Sequence, residues 1–179
     1  MTRTDAEFAA LRATIAARGT TRMVLLPATV SAWAALALVL LLFASIPVGS
    51  IFSLAVLVAG FEAIHALHVG VERIGRYLQV YYEADTDGPR WETAVMAVGP
   101  SLPGGGIDPL FSVVFAGAGF LNMIPALIPG PTRLELGVIG ILHGAFVIRV
   151  VRARGAAARQ RAVELESFKA LRVRQGDRQ

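Results

Sequence analysis

An all-α, polytopic membrane protein with four transmembrane helices and an amphipathic surface helix at each end is the fold class that three observations predict. The mean hydropathy is +0.59 and 55% of residues are hydrophobic, too apolar for an ordinary soluble domain. Four apolar runs recur along the chain, on the scale needed to cross a hydrocarbon core of about 30 Å. Basic residues gather beyond the ends of those runs. That placement also explains the pI near 10.3. In a soluble protein such a value suggests nucleic acid; here it assigns the arginines to orientation and to anionic lipid head groups, with no nucleic-acid partner. The chain has no cysteine, which excludes disulfides, thiolate metal sites and cysteine nucleophiles.

Residues 1–22 read as a cytoplasmic amphipathic helix. Thr4-Asp5-Ala6-Glu7 fits a capping box, and Phe8, Leu11 and Ile15 follow at helical spacing. Such a helix lies on the membrane or packs on the protein's own cytoplasmic loop. Residues 23–44 carry no charge and form the first span, with Pro27 in its first turn, where it costs little. A secretory signal peptide competes with this, but the apolar run is long for one and no small-x-small cleavage site follows. Ser45–Gly49 leaves room only for a tight turn.

Residues 50–72 form the second span. Nothing breaks the helix until Gly88-Pro89, so it continues past the membrane to Tyr77, Tyr81 and Tyr82, an interfacial aromatic belt. In the cytoplasmic loop 73–108, Trp91 to Val98 is a short helix. Asp85-x-Asp87-Gly88 lacks the spacing and closing glutamate of a calcium loop. The glycines from Gly99 to Gly106 follow no strand and precede no Gly-Lys-Ser/Thr, so they are not a phosphate loop.

Residues 109–128 form the third span. Gly117 and Gly119 allow close helix approach there, Asn122 is its one amide and Pro125 kinks it. Residues 134–151 form the fourth span, where Gly140-x-x-x-Gly144 predicts a tight helix contact, within the chain in preference to dimerisation. Residues 152–179 form a basic cytoplasmic tail helix, with Leu165, Phe168 and Leu171 at helical spacing.

With four spans, both termini and the 73–108 loop share one side, and that side holds sixteen of the seventeen Lys and Arg residues. Arg133 alone lies opposite. The positive-inside rule then places both termini in the cytoplasm of a cell inner (plasma) membrane.

Chemistry concentrates on the second span. At about 100° per residue, Glu62, His65, His68, Glu72, Arg73 and Arg76 fall within an arc of roughly 140°. An ionisable group at membrane depth costs about 2.5–3.5 kcal/mol on insertion scales, which makes it a functional candidate. Glu62-x-x-His65 has the spacing by which bundle helices present two metal ligands, and His68 and His143 extend the set. A metal ion, a haem held by two histidines, and a proton path are the functional uses. A structural use outranks them: Glu62 pairs with a neighbour and sets helix register. Glu72, Arg73 and Arg76 read as an interfacial charge cluster, with Glu72 and Arg76 at i,i+4 spacing. No nucleophile-and-base arrangement is visible; Ser31, Ser53 and Ser112 suit bonds to their own helices. The resulting expectation is a small accessory or scaffold subunit of a membrane assembly without catalytic activity of its own. The alternative is a metal-, haem- or proton-binding module built on the Glu/His cluster.

Overall fold

The computed structural model describes residues 3–44, 46–84, 88, 90–98 and 109–177, and the elements among them are helical. The Asp85-x-Asp87 and Gly99–Gly106 stretches lie outside the described residues. In chain order the α-helices are α1 (Arg3–Val39), α2 (Ser50–Leu78), α3 (Trp91–Val98), α4 (Pro109–Leu121), α5 (Ile124–Leu127) and α6 (Arg133–Gly176). Wider π turns extend α1 over Leu40–Ala44 and α2 over Gln79–Glu83.

Two sequence boundaries are absent from the backbone. The surface helix and first span are one helix, α1, so Pro27 is an interior proline rather than a first-turn one. It lacks the N–H that would bond Met23, a loss apolar spanning helices tolerate. The Thr20 and Thr21 hydroxyls bond back to the Ala16 and Ala17 carbonyls at 3.1 and 2.9 Å, so the sequence Gly19-Thr20-Thr21 passes without a break. The fourth span and the tail are likewise one helix, α6. Thr132 and Glu135 start it with a reciprocal box: the Glu135 carboxylate accepts from the Thr132 N–H and hydroxyl, each at 2.8 Å, and the Glu135 N–H reaches the hydroxyl at 3.3 Å.

The predicted third span is interrupted. Pro125 cannot donate to Leu121, and its ring crowds that carbonyl, so α4 stops at Leu121 and α5 restarts at Ile124. Gly130, at φ +73°, ends α5 in the left-handed region that glycine enters at little cost. Three helical runs are long and apolar enough to cross a membrane; the α4–α5 stretch is apolar but shorter. The fold is therefore helical, with three such crossings supported by length and composition.

Packing divides the chain into two compact units. One comprises Arg22–His65 and Pro109–Ala153; the other comprises Met1–Thr21, Ala66–Asp108 and Arg154–Gln179. In the first, the charged side chains are Arg22, Glu62, Arg133, Glu135, Arg149 and Arg152. We call it the apolar unit and the other the charged unit. The core of the apolar unit is built on Phe61, whose ring meets Phe111, Phe115 and Phe146 at 5.4–6.1 Å between centroids. Leu57, Ile64 and Val150 are buried beside it, and Leu25, Leu26 and Trp33 of α1 pack against the cluster. Large apolar side chains such as Phe43, Phe52, Val113 and Ile141 point outward.

Close helix approach occurs where only some of the glycines predict it. A Cβ at Gly60 would collide with Thr29, and one at Gly119 would sit 3.1 Å from the Phe146 ring. At Gly117, Gly137, Gly140 and Gly144 no described atom lies within 4 Å of a Cβ position. The expected intrachain contact at Gly140-x-x-x-Gly144 is therefore not made; that face of α6 is uncovered by the described chain.

Candidate functional site

In the charged unit the predicted cluster forms, but its principal partner comes from the tail. Glu164 of α6 accepts from Arg73 Nε at 2.9 Å and Arg76 Nε at 3.0 Å, with a further short bond from Arg76 Nη2. Gln160, one turn earlier, adds a bond at 2.8 Å. Glu72 lies 3.1 Å from Arg161, 3.6 Å from Arg76 and 3.5 Å from His68. Arg76 is 3% exposed and touches both carboxylates. Three guanidiniums and two carboxylates thus share one network between the end of α2 and the tail half of α6. Burial alone would raise the Glu164 carboxyl, but the bonds from Arg73, Arg76 and Gln160 take it below its ordinary value. The i,i+4 pairing of Glu72 and Arg76 is present, and the cross-helix bonds are shorter.

The rest of this unit ties helix ends to side chains. Buried Glu83 accepts from the Glu92 and Thr93 N–H groups at 2.7 and 2.8 Å and from the Thr93 hydroxyl, closing the N-terminus of α3 with a carboxylate. Arg172 of α6 donates to the Val80 carbonyl at 2.7 Å, in the last turn of α2's extension, where the helix itself supplies no partner. On α1, Glu7 accepts the Tyr77 hydroxyl at 2.8 Å. Burial, with that bond to a carboxylate, pushes the Tyr77 phenol up to about 12. Glu7 thus serves a contact 70 residues away. The Tyr77 and Tyr81 rings stack at 4.6 Å, and Phe8 meets Tyr82 at 5.4 Å, so the predicted aromatic belt packs on itself and on α1.

The apolar unit holds a second polar network, centred on Asn122 at the α4 break. Its oxygen accepts from Trp33 Nε1 at 2.9 Å and the Ser53 hydroxyl at 2.6 Å. Its nitrogen donates to the Ser50 carbonyl at 2.8 Å and to His143 Nε2 at 2.9 Å. The other ring nitrogen of His143 lies 2.8 Å from the Ile139 carbonyl. These partners settle the chemistry. Trp33 can only donate, which orients the amide; the amide nitrogen can only donate, so His143 Nε2 accepts and Nδ1 carries the proton. Asn122 fills all four of its bonding positions and is 0% exposed, and His143 is neutral and 1% exposed.

The predicted ligand set is dispersed. Glu62 bonds Arg149 at 2.8 Å, the structural use of that residue, with both side chains more than 40% exposed. His65 stacks on Phe61 at 5.8 Å. His68 meets Glu72, and His143 meets Asn122. Glu62 faces a residue six positions beyond His143 on α6, so His143 and His65 stand at different heights in the apolar unit. Among the described residues no three His, Asp or Glu side chains gather closely enough to hold a metal ion.

The residues that sequence reasoning missed were Glu164, Arg161 and Gln160, and the full role of Asn122. Glu164 and Arg161 carried a faint signal: at about 100° per residue both fall on the same side of the tail helix as Leu165 and Phe168, the side that packs. The chain matches no protein-family model, no curated protein and no solved structure.

Proposed function

We propose that this is a multi-pass integral membrane protein of the plasma membrane that serves as a non-catalytic accessory or scaffold subunit. The apolar unit is its membrane domain, with α4 and α5 together as the fourth crossing, and both termini are cytoplasmic. The charge network around Arg76 carries the reading. Its guanidiniums are engaged by Glu72 and Glu164 rather than converging on a reaction site, so the charged unit is a preformed helical platform. The uncovered glycines Gly137, Gly140 and Gly144 leave α6 backbone open to another helix, which suits a subunit that assembles with others. Sixteen of seventeen basic residues on one side support the orientation.

The absence of cysteine makes labelling a clean test of topology. Thr132→Cys is expected to react with an impermeant maleimide from outside intact cells, and Ala94→Cys only after the membrane is opened. Equal labelling of both from outside would overturn the four-span orientation. For the role itself, the tagged full chain purified in mild detergent is expected to bring down a second membrane protein in fixed stoichiometry. A Soret band or stoichiometric metal, lost in His65→Ala, would instead establish the Glu/His module.

A further inference from the structure

Helix α3 is inside out. Its sequence, Trp-Glu-Thr-Ala-Val-Met-Ala-Val, holds two polar side chains, Glu92 and Thr93, and both face the protein. Glu92 accepts from Arg12 of α1 at 3.1 Å and lies over Gly75 of α2, where a Cβ would stand 2.7 Å from its carboxylate. The Thr93 hydroxyl donates to Glu83 at 2.8 Å. Trp91, Val95 and Val98 occupy the other side, 64%, 43% and 49% exposed. At about 100° per residue these three fall within an arc of roughly 80°, so they form one apolar stripe. A helix that meets water turns its apolar stripe to the core and its polar residues outward. In α3 that order is reversed, and it is held reversed, since rolling the helix about its axis would break the bonds to Arg12 and from the Thr93 hydroxyl.

We propose that the stripe of Trp91, Val95 and Val98 is seated in the head-group layer of the cytoplasmic leaflet, so that α3 is an interfacial helix whose ligand is the lipid surface. The inference rests on the membrane reading above and adds a point of attachment outside the apolar unit. Two features favour lipid over protein. The stripe begins with tryptophan, whose ring has an apolar body and a polar N–H and is enriched at head-group level. The stripe is also small: three side chains on a helix about 12 Å long fall far short of the roughly 800 Å² a side that a specific protein interface buries. A bilayer sets no such threshold, because lipids close around whatever apolar face is offered, to a depth of about 5–10 Å. Ala94 lies about 60° round the helix from Trp91, at the edge of the stripe, within reach of an aqueous reagent.

The chain contains two tryptophans, Trp33 and Trp91, and no cysteine, so few changes are needed to read the answer. The full chain carrying Trp33→Phe is reconstituted in phosphatidylcholine–phosphatidylglycerol vesicles whose acyl chains bear bromine either near the head group or near the chain end. Trp91 emission is expected to be blue-shifted from that of tryptophan in water and quenched more strongly by the shallow bromine. The complementary chain, Trp91→Phe, leaves its one indole in the apolar unit, where the deep bromine is expected to quench more. In a third chain, with both tryptophans kept, a nitroxide on Val95→Cys is expected to collide more often with oxygen than with a water-soluble nickel chelate. Val95 is exposed, so this label disturbs no core contact and does not depend on Trp33→Phe folding. Quenching of Trp33 without quenching of Trp91 overturns the proposal and leaves the membrane reading standing, as does a nitroxide that the chelate reaches more readily. Trp91 emission that is blue-shifted but insensitive to both bromines also overturns it, and marks a protein or a second copy on the stripe. Loss of quenching at both tryptophans overturns the membrane reading and the proposal with it.

Discussion

The two units bury polar groups in opposite ways. The apolar unit buries a neutral network, in which an amide, an indole, a hydroxyl and an uncharged imidazole satisfy one another around Asn122. The charged unit buries an ionic one, in which Arg76 sits between Glu72 and Glu164. The difference follows the surroundings of each. Where outward side chains are Phe, Val and Ile, a full charge has no nearby water to relax into, and only groups that can close every bond without charge are tolerated. In the charged unit Arg76 is buried, but Arg73 is 54% exposed and Glu72 and Glu164 are partly so, and ions of both signs sharing one network keep their charge. The ion pair of Glu62 with Arg149 in the apolar unit fits the same rule: both side chains are at the surface of the unit, and Arg149 also lies 5.5 Å over the Phe61 ring.

Breaking the ionic network should have the largest effect. Arg76→Met keeps the volume and removes the charge, leaving two carboxylates short of a partner; removing one member of a buried pair costs about 3–5 kcal/mol. Hydrogen exchange should quicken in 66–84 and 154–177 before it does around Phe61, and quickening in the Phe61 core first would show that the two units are not separate in stability. Acid should act on the same network. Glu164 titrates below its ordinary value of 4.5 when folded, so its contribution is present above that value and fades as pH falls through the lower folded one. Stability of the charged unit is expected to drop on acidification in that window, and less steeply in Arg76→Met.

Breaking the neutral network should cost less. Asn122→Leu strands the Trp33 N–H and His143 Nε2, while the Ser53 hydroxyl keeps its bond to the Ser50 carbonyl at 3.1 Å. Side-chain hydrogen bonds between spanning helices average only about 0.6 kcal/mol each, so roughly 2 kcal/mol is expected in total. Thermal unfolding in detergent reads it, with loss confined to the Trp33 environment in tryptophan fluorescence. A loss as large as that of Arg76→Met would mean that the neutral network is no cheaper to break than the ionic one.

The smallest effect belongs to a helix end. Thr132→Ala removes the box that starts α6 and should cost about 1 kcal/mol, visible as faster exchange at Leu134, Glu135 and Leu136 alone. Disturbance reaching Asn122 would show that α6 placement, not only its first turn, depends on that cap.

Composition, period and charge placement by themselves determined the helical class, the long second helix and α3 at Trp91–Val98, because burying apolar surface and closing backbone bonds are local demands that leave a periodic trace. The Thr132-x-x-Glu135 box was as legible as Thr4-x-x-Glu7 by pattern, and only neighbouring structure separates a pattern that caps from one whose glutamate serves Tyr77. The cross-helix partners were not legible. Spacing along one helix predicts Glu72 with Arg76, but Arg76 with Glu164 spans 88 residues and Arg172 with Val80 spans 92. Which residue meets which at that range is set by the register of α2 against α6, and a shift of one turn would leave every helical period intact while exchanging every partner. Register is decided by packing within each unit, at α2–α6 contacts such as Tyr77 on Phe168 in the charged unit and Phe61 on Phe146 in the apolar one, and that information exists only once the helices are assembled.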